Sequence, residues 1–155
     1  MIETPRIVQS PRQQTAVIHL TIPRDQIQAA MGPAIGEVIA AVSAQGIGPV
    51  GPVYSHHFRM DPATFDFEVG APVSAPVKPT GRVQASELPA GKVVQTTYRG
   101  PYEGLGAAWG EFEQRIAAEG HATAENLWER YVAGPESSPD PNQWQTELNR
   151  PLKSS

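Results

Sequence analysis

Two side chains two positions apart, Glu129 and Tyr131, open the question of chemistry. They sit in LWERYVA (residues 127–133), an apolar run suited to a strand. Alternation in a strand would put both on one face, with Trp128 and Arg130 on the other. A carboxylate among aromatic rings and little water attracts cations, because weak screening strengthens the attraction. The same burial raises its pKa and prepares it to move a proton. Glu147, in QWQTELNR (residues 143–150), shares a face with Gln145 and Asn149, while Trp144, Thr146 and Leu148 share the other. If the apolar set faces the helices, Glu147 faces a cleft; the alternative is an ion pair with Arg130 or Arg150. Glu68 is its counterpart in the first half of the chain.

Aromatic walls could come from Tyr54, Phe58, Tyr98, Tyr102, Trp109, Tyr131 and Trp144, since π faces stack on flat molecules and attract cations. Of these, Tyr54 and Tyr131 are the stronger pocket candidates. Trp109 shares a helical face with Leu105 and Phe112, so core packing competes with a pocket role. Tyr102 can simply fix a helix start.

Other chemistries find little support. His56 and His57 are adjacent, so in a strand they point to opposite faces and cannot readily chelate one ion. His19 reads as an ordinary strand residue, and Ser55 beside His56 does not make a triad. The chain has no cysteine, hence no thiol nucleophile, disulfide or thiolate metal site. It has no Gly-rich phosphate loop and no Gly-x-Ser-x-Gly elbow. Neither a cofactor nor a metal is expected.

The bulk properties narrow the class further. The 155 residues fit a single domain, and the net charge of −4, without a basic cluster, argues against direct nucleic-acid binding. The N-terminal residues lack the pattern of a signal peptide, and no stretch approaches the ~20 apolar residues of a membrane span. A cytoplasmic protein without membrane contact is the expectation.

The elements that would position these groups follow from periodicity and from the 14 Gly and 16 Pro. Residues 15–22 (TAVIHLTI) read as a strand. Pro23 opens a short helical stretch that Gly32 stops. Pro33 restarts a helix with Ile35, Val38, Ile39 and Val42 on one face, and Gly46 caps it. Residues 52–59 and 64–70 form a hairpin around Asp61-Pro62-Ala63; in the second strand Phe65, Phe67 and Val69 alternate with Asp66 and Glu68. Residues 71–81 (APVSAPVKPTG) make a Pro-rich bridge.

The pattern then recurs. Residues 81–88 and 92–98 read as strands around Pro89-Ala90-Gly91. Gly100-Pro101 opens a helix over residues 101–119, with Leu105, Ala108, Trp109, Phe112 and Ile116 on one face. Its Gly104, Gly106 and Gly110 each weaken it, and close packing is one reason to keep them. Two strands close the chain, separated by a loop over residues 136–142 expected to be mobile and able to serve as a lid. Phe67-Glu68-Val69-Gly70-Ala71-Pro72-Val73 aligns without gaps on Thr146-Glu147-Leu148-Asn149-Arg150-Pro151-Leu152. The expected fold is α+β: duplicated β-α-β-β units, pseudo-repeats at about 7–76 and 80–153. A curved antiparallel sheet would carry two main helices on one face, with a ligand cleft between the halves, a common place for ligands.

The stretch LPAGKVVQTTYRGPYEGLGAAWGEFEQRIAAEG resembles the central signature of the GyrI-like, or AraC-type effector-binding, superfamily. WERYVAGP, QTELNRPL, GPVGPVYSHHF and FDFEVGAPV resemble its remaining strands, so the resemblance covers about residues 7–152. It implies a stand-alone domain binding small apolar, aromatic or cationic organic molecules, as in bacterial multidrug-sensing transcription regulators. By this resemblance Glu129 would be the pocket carboxylate and, in an enzyme, the catalytic residue. The implied ligand-binding set is Tyr54, Glu68, Tyr98, Trp109, Glu129, Tyr131 and Glu147. Two alternatives come with it: a hydrolase opening strained, cyclopropane-bearing genotoxins, and a protein-interaction modulator that docks on DNA gyrase.

Overall fold

The computed structural model describes residues 2–60, 63–134 and 138–153. Among the described residues, eight strands and two helices run in the order β1 (Arg6–Ser10), β2 (Gln13–Pro23), α1 (Ile27–Ala44), β3 (Tyr54–Met60), β4 (Thr64–Pro72), β5 (Gln84–Leu88), β6 (Gly91–Arg99), α2 (Leu105–Ala118), β7 (Leu127–Ala133) and β8 (Gln145–Pro151). A single 3-10 turn precedes each helix, Arg24–Gln26 before α1 and Tyr102–Gly104 before α2. The fold is α+β and every strand pair within a unit is antiparallel.

The chain divides into two compact units, Pro11–Ala90 and the pair Met1–Ser10 with Gly91–Ser155. Each is a four-stranded sheet with one helix. The Pro11–Ala90 unit runs β5-β2-β4-β3, the other β1-β6-β8-β7, so the same β-α-β-β module occurs twice, each with one added edge strand. The added strands are exchanged: β1 precedes β2 in the chain yet pairs with β6, and β5 precedes β6 yet pairs with β2. The units therefore differ in bounds from the sequence repeats, because each takes its edge strand from the segment before the other.

Apolar alternation decides which sheet face each helix covers. In the Pro11–Ala90 unit, Ala16, Ile18, Phe67, Val69 and Ala71 pack with Ala34, Val38 and Val42 of α1. In the other unit, Val94, Tyr98 and Leu148 pack with Ala108, Phe112 and Ile116 of α2. Burying the Val, Ile, Leu and Phe side chains among these contributes roughly 1.5–3 kcal/mol each. Both helices end alike. Gly46 (φ +69°) and Gly120 (φ +77°) take the left-handed conformation. The next N–H then reaches back to the helix, from Ile47 to Val42 O and from His121 to Ile116 O.

Four points of the sequence reading need correction. The helical stretches on either side of Gly32-Pro33 are one helix, α1, with Pro33 inside it; packing of Ala34 and Val38 outweighs the missing N–H. The repeat counterpart of Gly100-Pro101 is accordingly Ile22-Pro23, just ahead of the first 3-10 turn. Strand β1, flanked by Pro5 and Pro11, is too short to stand out as a periodic pattern. Of the three α2-region glycines, close packing explains only Gly104, since a Cβ on Gly106 or Gly110 would meet open space. The Asp61-Pro62 turn and part of the loop over residues 136–142 lie outside the described residues.

Candidate functional site

Glu129 and Tyr131 project from β7 on the α2 side of the sheet, as the alternation requires. Their cross-strand partners are Leu148 and Thr146, and Leu148 belongs to the core under α2. Trp109, the fifth residue of α2, reaches the same carboxylate. Its indole Nε1–H donates to Glu129 Oε2 at 2.6 Å, and the Tyr131 hydroxyl donates to Oε1 at 2.9 Å. All three side chains are half-buried. Each carboxylate oxygen thus takes a hydrogen bond from an aromatic residue, and bonds to an ionised acceptor are short and strong.

The aromatic surface continues from there. Tyr131 meets Tyr102 edge-on at 6.0 Å between centroids, and Tyr102 meets Trp144 at 4.9 Å. Trp109 also touches Phe112, at 5.5 Å. The Trp144 indole donates to Ser138 O at 2.9 Å. Tyr102 and Trp144 had no firm role on sequence grounds: the first could simply fix a helix start, and the second shared an apolar strand face with Thr146 and Leu148. Thr146 was read only as a member of that apolar strand face. It is fully buried, stands opposite Tyr131, and its hydroxyl has no hydrogen-bond partner among the described residues.

The remaining candidates lie elsewhere. Glu147 faces away from α2. Its Oε1 takes Arg130 Nη1 at 2.5 Å and Asn149 Nδ2 at 3.1 Å, the arginine pairing that competed with a cleft role. Glu129 and Glu147 therefore occupy opposite faces of one sheet. Tyr98 is 5% exposed and packs under α2. Tyr54 and Glu68 belong to the Pro11–Ala90 unit. Tyr54 is fully buried with its hydroxyl donating to Thr15 Oγ1 at 2.9 Å, and Glu68 accepts from Ser86 at 2.7 Å.

The same positions of the Pro11–Ala90 unit hold different chemistry. Gly70 opposes Tyr54 as Asn149 opposes Trp128, which places Ser55 at the Glu129 position and His57 at the Tyr131 position. Both strands then bulge at the same point, after His57 and after Tyr131. Ser55 and His57 share a 3.2 Å hydrogen bond. His57 stacks on Phe67 at 4.8 Å, and burial, reinforced by His56 and Arg24, pushes its pKa down to about 4. Arg24, at the Tyr102 position, lies 4.4 Å from the centroid of Phe65, at the Trp144 position. Met31, the fifth residue of α1, stands where α2 has Trp109. One half carries an acid with aromatic donors; its counterpart carries a neutral histidine and a cation.

No cluster of three or more His, Asp or Glu suited to a metal occurs among the described residues. A hollow of about 400 Å³ in the Pro11–Ala90 unit is lined by Arg12, Gln14, Thr15, Pro76, Ala85, Ser86 and Glu87, and so does not include Glu129. Among the described residues no helix is long and apolar enough to cross a membrane.

Comparison with known proteins bears on the family and the fold. A family model described as the GyrI-like small molecule binding domain matches residues 3–153. No curated protein matches the chain. Among solved structures, the EcmrR C-terminal domain is similar at 19% identity, with 98% of each chain covered and a TM-score of 0.83. The chain spans only 58% of the EcmrR chain in that protein's DNA complex. SAV2435, solved bound to tetraphenylphosphonium, is similar at 13% identity, covering 98% of this chain and 95% of that one, with a TM-score of 0.71. A hydrolase encoded by lin2189 from Listeria innocua is similar at 15% identity, covering 96% and 91%, with a TM-score of 0.63. At these identities the structural likenesses establish the fold.

Proposed function

Because the chain belongs to the GyrI-like small molecule binding domain family, we propose that it holds apolar, aromatic organic cations against Glu129. One observation carries this reading: a half-buried carboxylate accepts hydrogen bonds from Trp109 and Tyr131 at the edge of an aromatic surface that runs on to Tyr102 and Trp144. A cation over these rings gains cation–π attraction of up to about 2 kcal/mol when desolvated, and the carboxylate adds attraction that water screens poorly. That SAV2435 was solved bound to tetraphenylphosphonium supports the choice of ligand class.

Calorimetry with two probes that both carry phenyl rings on a tetrahedral phosphorus tests it. The protein should prefer tetraphenylphosphonium to neutral triphenylphosphine oxide by at least about tenfold, or about 1.4 kcal/mol. Glu129→Gln should remove most of that preference while leaving the neutral probe unchanged. Equal affinity for both probes in the unaltered protein would refute the reading.

A second reading gives the same carboxylate a chemical task. Tyr131 is hydrogen-bonded to Glu129, so a base and a proton-bearing hydroxyl adjoin, as acid/base catalysis on a strained ring would need. Its mark would be product formation that Glu129→Gln abolishes while a neutral substrate still binds. Docking on a partner such as DNA gyrase has less behind it. Among the described residues the exposed large apolar side chains, Ile7, Val50 and Val132, belong to three different segments; a contiguous exposed patch would favour this reading.

A further inference from the structure

Tyr98 is a ligand-binding candidate on sequence grounds, yet its contacts are with the turn that carries Tyr102. Its hydroxyl donates to Pro101 O at 2.8 Å. The Gly104 N–H donates to the same carbonyl at 3.1 Å, closing the 3-10 turn that begins at Tyr102. The hydroxyl also fills the space a side chain would need at either flanking glycine. A Cβ would lie 2.8 Å from it at Gly100 and 2.1 Å at Gly104. Gly100, at φ +140°, has a backbone that other residues rarely adopt, and its N–H donates to Trp144 O at 3.0 Å. One turn therefore fixes both partners of the ring contact: Tyr102 stands within it, and Trp144 is tied to it through its carbonyl.

We propose that Tyr98 is a positioning residue, whose hydroxyl locks the Gly100–Gly104 turn and thereby sets the spacing of Tyr102 and Trp144 in the aromatic wall. The inference rests on the cation-site reading only for its consequence in binding; the lock is a property of the ligand-free protein. Tyr98 itself touches no ligand. It acts from beneath α2, where its ring packs with Ala108 and Phe112.

The test is Tyr98→Phe, which keeps the ring and removes the oxygen. In the ligand-free variant the ¹H–¹⁵N indole signal of Trp144 should move and its NOEs to the Tyr102 ring should weaken. The signal of Trp128, buried on the opposite face, should stay in place. A role confined to stability would lower Tm and leave these signals alone. Tetraphenylphosphonium should bind about fivefold more weakly, the equivalent of one hydrogen bond. Gly104→Ala, which displaces the hydroxyl instead of removing it, should shift the same Trp144 signal. Its loss of Tm should shrink in the Tyr98→Phe background. Unmoved Trp144 signals in Tyr98→Phe, or unchanged affinity where the unaltered protein binds the probe, would overturn the proposal. So would the absence of contact between the Tyr98 hydroxyl proton and the Gly104 α-protons in the unaltered protein, a measurement that needs no variant. If tetraphenylphosphonium fails to bind the unaltered protein, the cation reading falls, and the Trp144 signals still decide the role of Tyr98.

Discussion

A carboxylate held by an indole N–H and a phenol O–H is set in direction as well as charge. Removing either donor should loosen Glu129 without deleting it. Trp109→Phe should therefore weaken tetraphenylphosphonium binding by about fivefold to tenfold, the worth of one charge-assisted hydrogen bond, and titration calorimetry checks this. The buried histidines make a separate prediction about acid. Burial pushes both His56 and His57 down to about 4. The unfolded chain takes up these protons below about 6.5, while the folded chain refuses them until about 4. Stability should be full above neutrality and fall as pH drops from about 6.5 to 4, by at most about 3 kcal/mol per histidine. Urea midpoints at pH 7 and pH 5 measure the loss. His57→Phe should flatten that dependence, because a phenyl ring can stack on Phe67 without titrating; an unchanged slope would contradict this account.

The glycines separate what an element needs from what it merely tolerates. Gly36 is exposed within α1 and a Cβ there meets nothing, so Gly36→Ala should raise stability by about 0.5–1 kcal/mol. Gly70 in β4 is the reverse case. Its Cβ would lie 2.4 Å from Ala16 O and 2.6 Å from Val17 Cγ1, and Gly70→Ala should cost roughly 1–3 kcal/mol. Thermal melts of the two variants should move in opposite directions. The strands from β2 onward and both helices were legible because β2 is an apolar, β-branched run, Phe and Val alternate with acids in β4, and apolar residues recur with helical spacing in α1 and α2. Pro33 misled because a local breaker was read without the tertiary contacts that override it. The value of Gly104 was hidden because the atom it makes room for, the Tyr98 hydroxyl, sits on a different element.

At the scale of the whole chain, duplication was readable from the gapless match of residues 67–73 with residues 146–152. The exchange of β1 and β5 was not, since nothing in a strand's own pattern names its partner. The same limit applied to the candidate site. Alternation placed Glu129 and Tyr131 on one face, and Glu147 on the face away from α2. The contacts of Trp109 with Glu129 and of Tyr102 with Trp144 depend on how helix and turn dock, which no spacing records. Duplication also frames the specificity: positions that hold Glu129, Tyr131, Tyr102 and Trp109 in one unit hold Ser55, His57, Arg24 and Met31 in the other. On this account the unit containing Glu129 is the one that attracts cations. The most direct measurement is a titration of the protein with tetraphenylphosphonium, followed through the Trp109 indole ¹H–¹⁵N signal. The account predicts a saturable shift of that signal, strongly reduced in Glu129→Gln. A cation that binds while the Trp109 signal stays still, or binds equally well without the Glu129 charge, would contradict it.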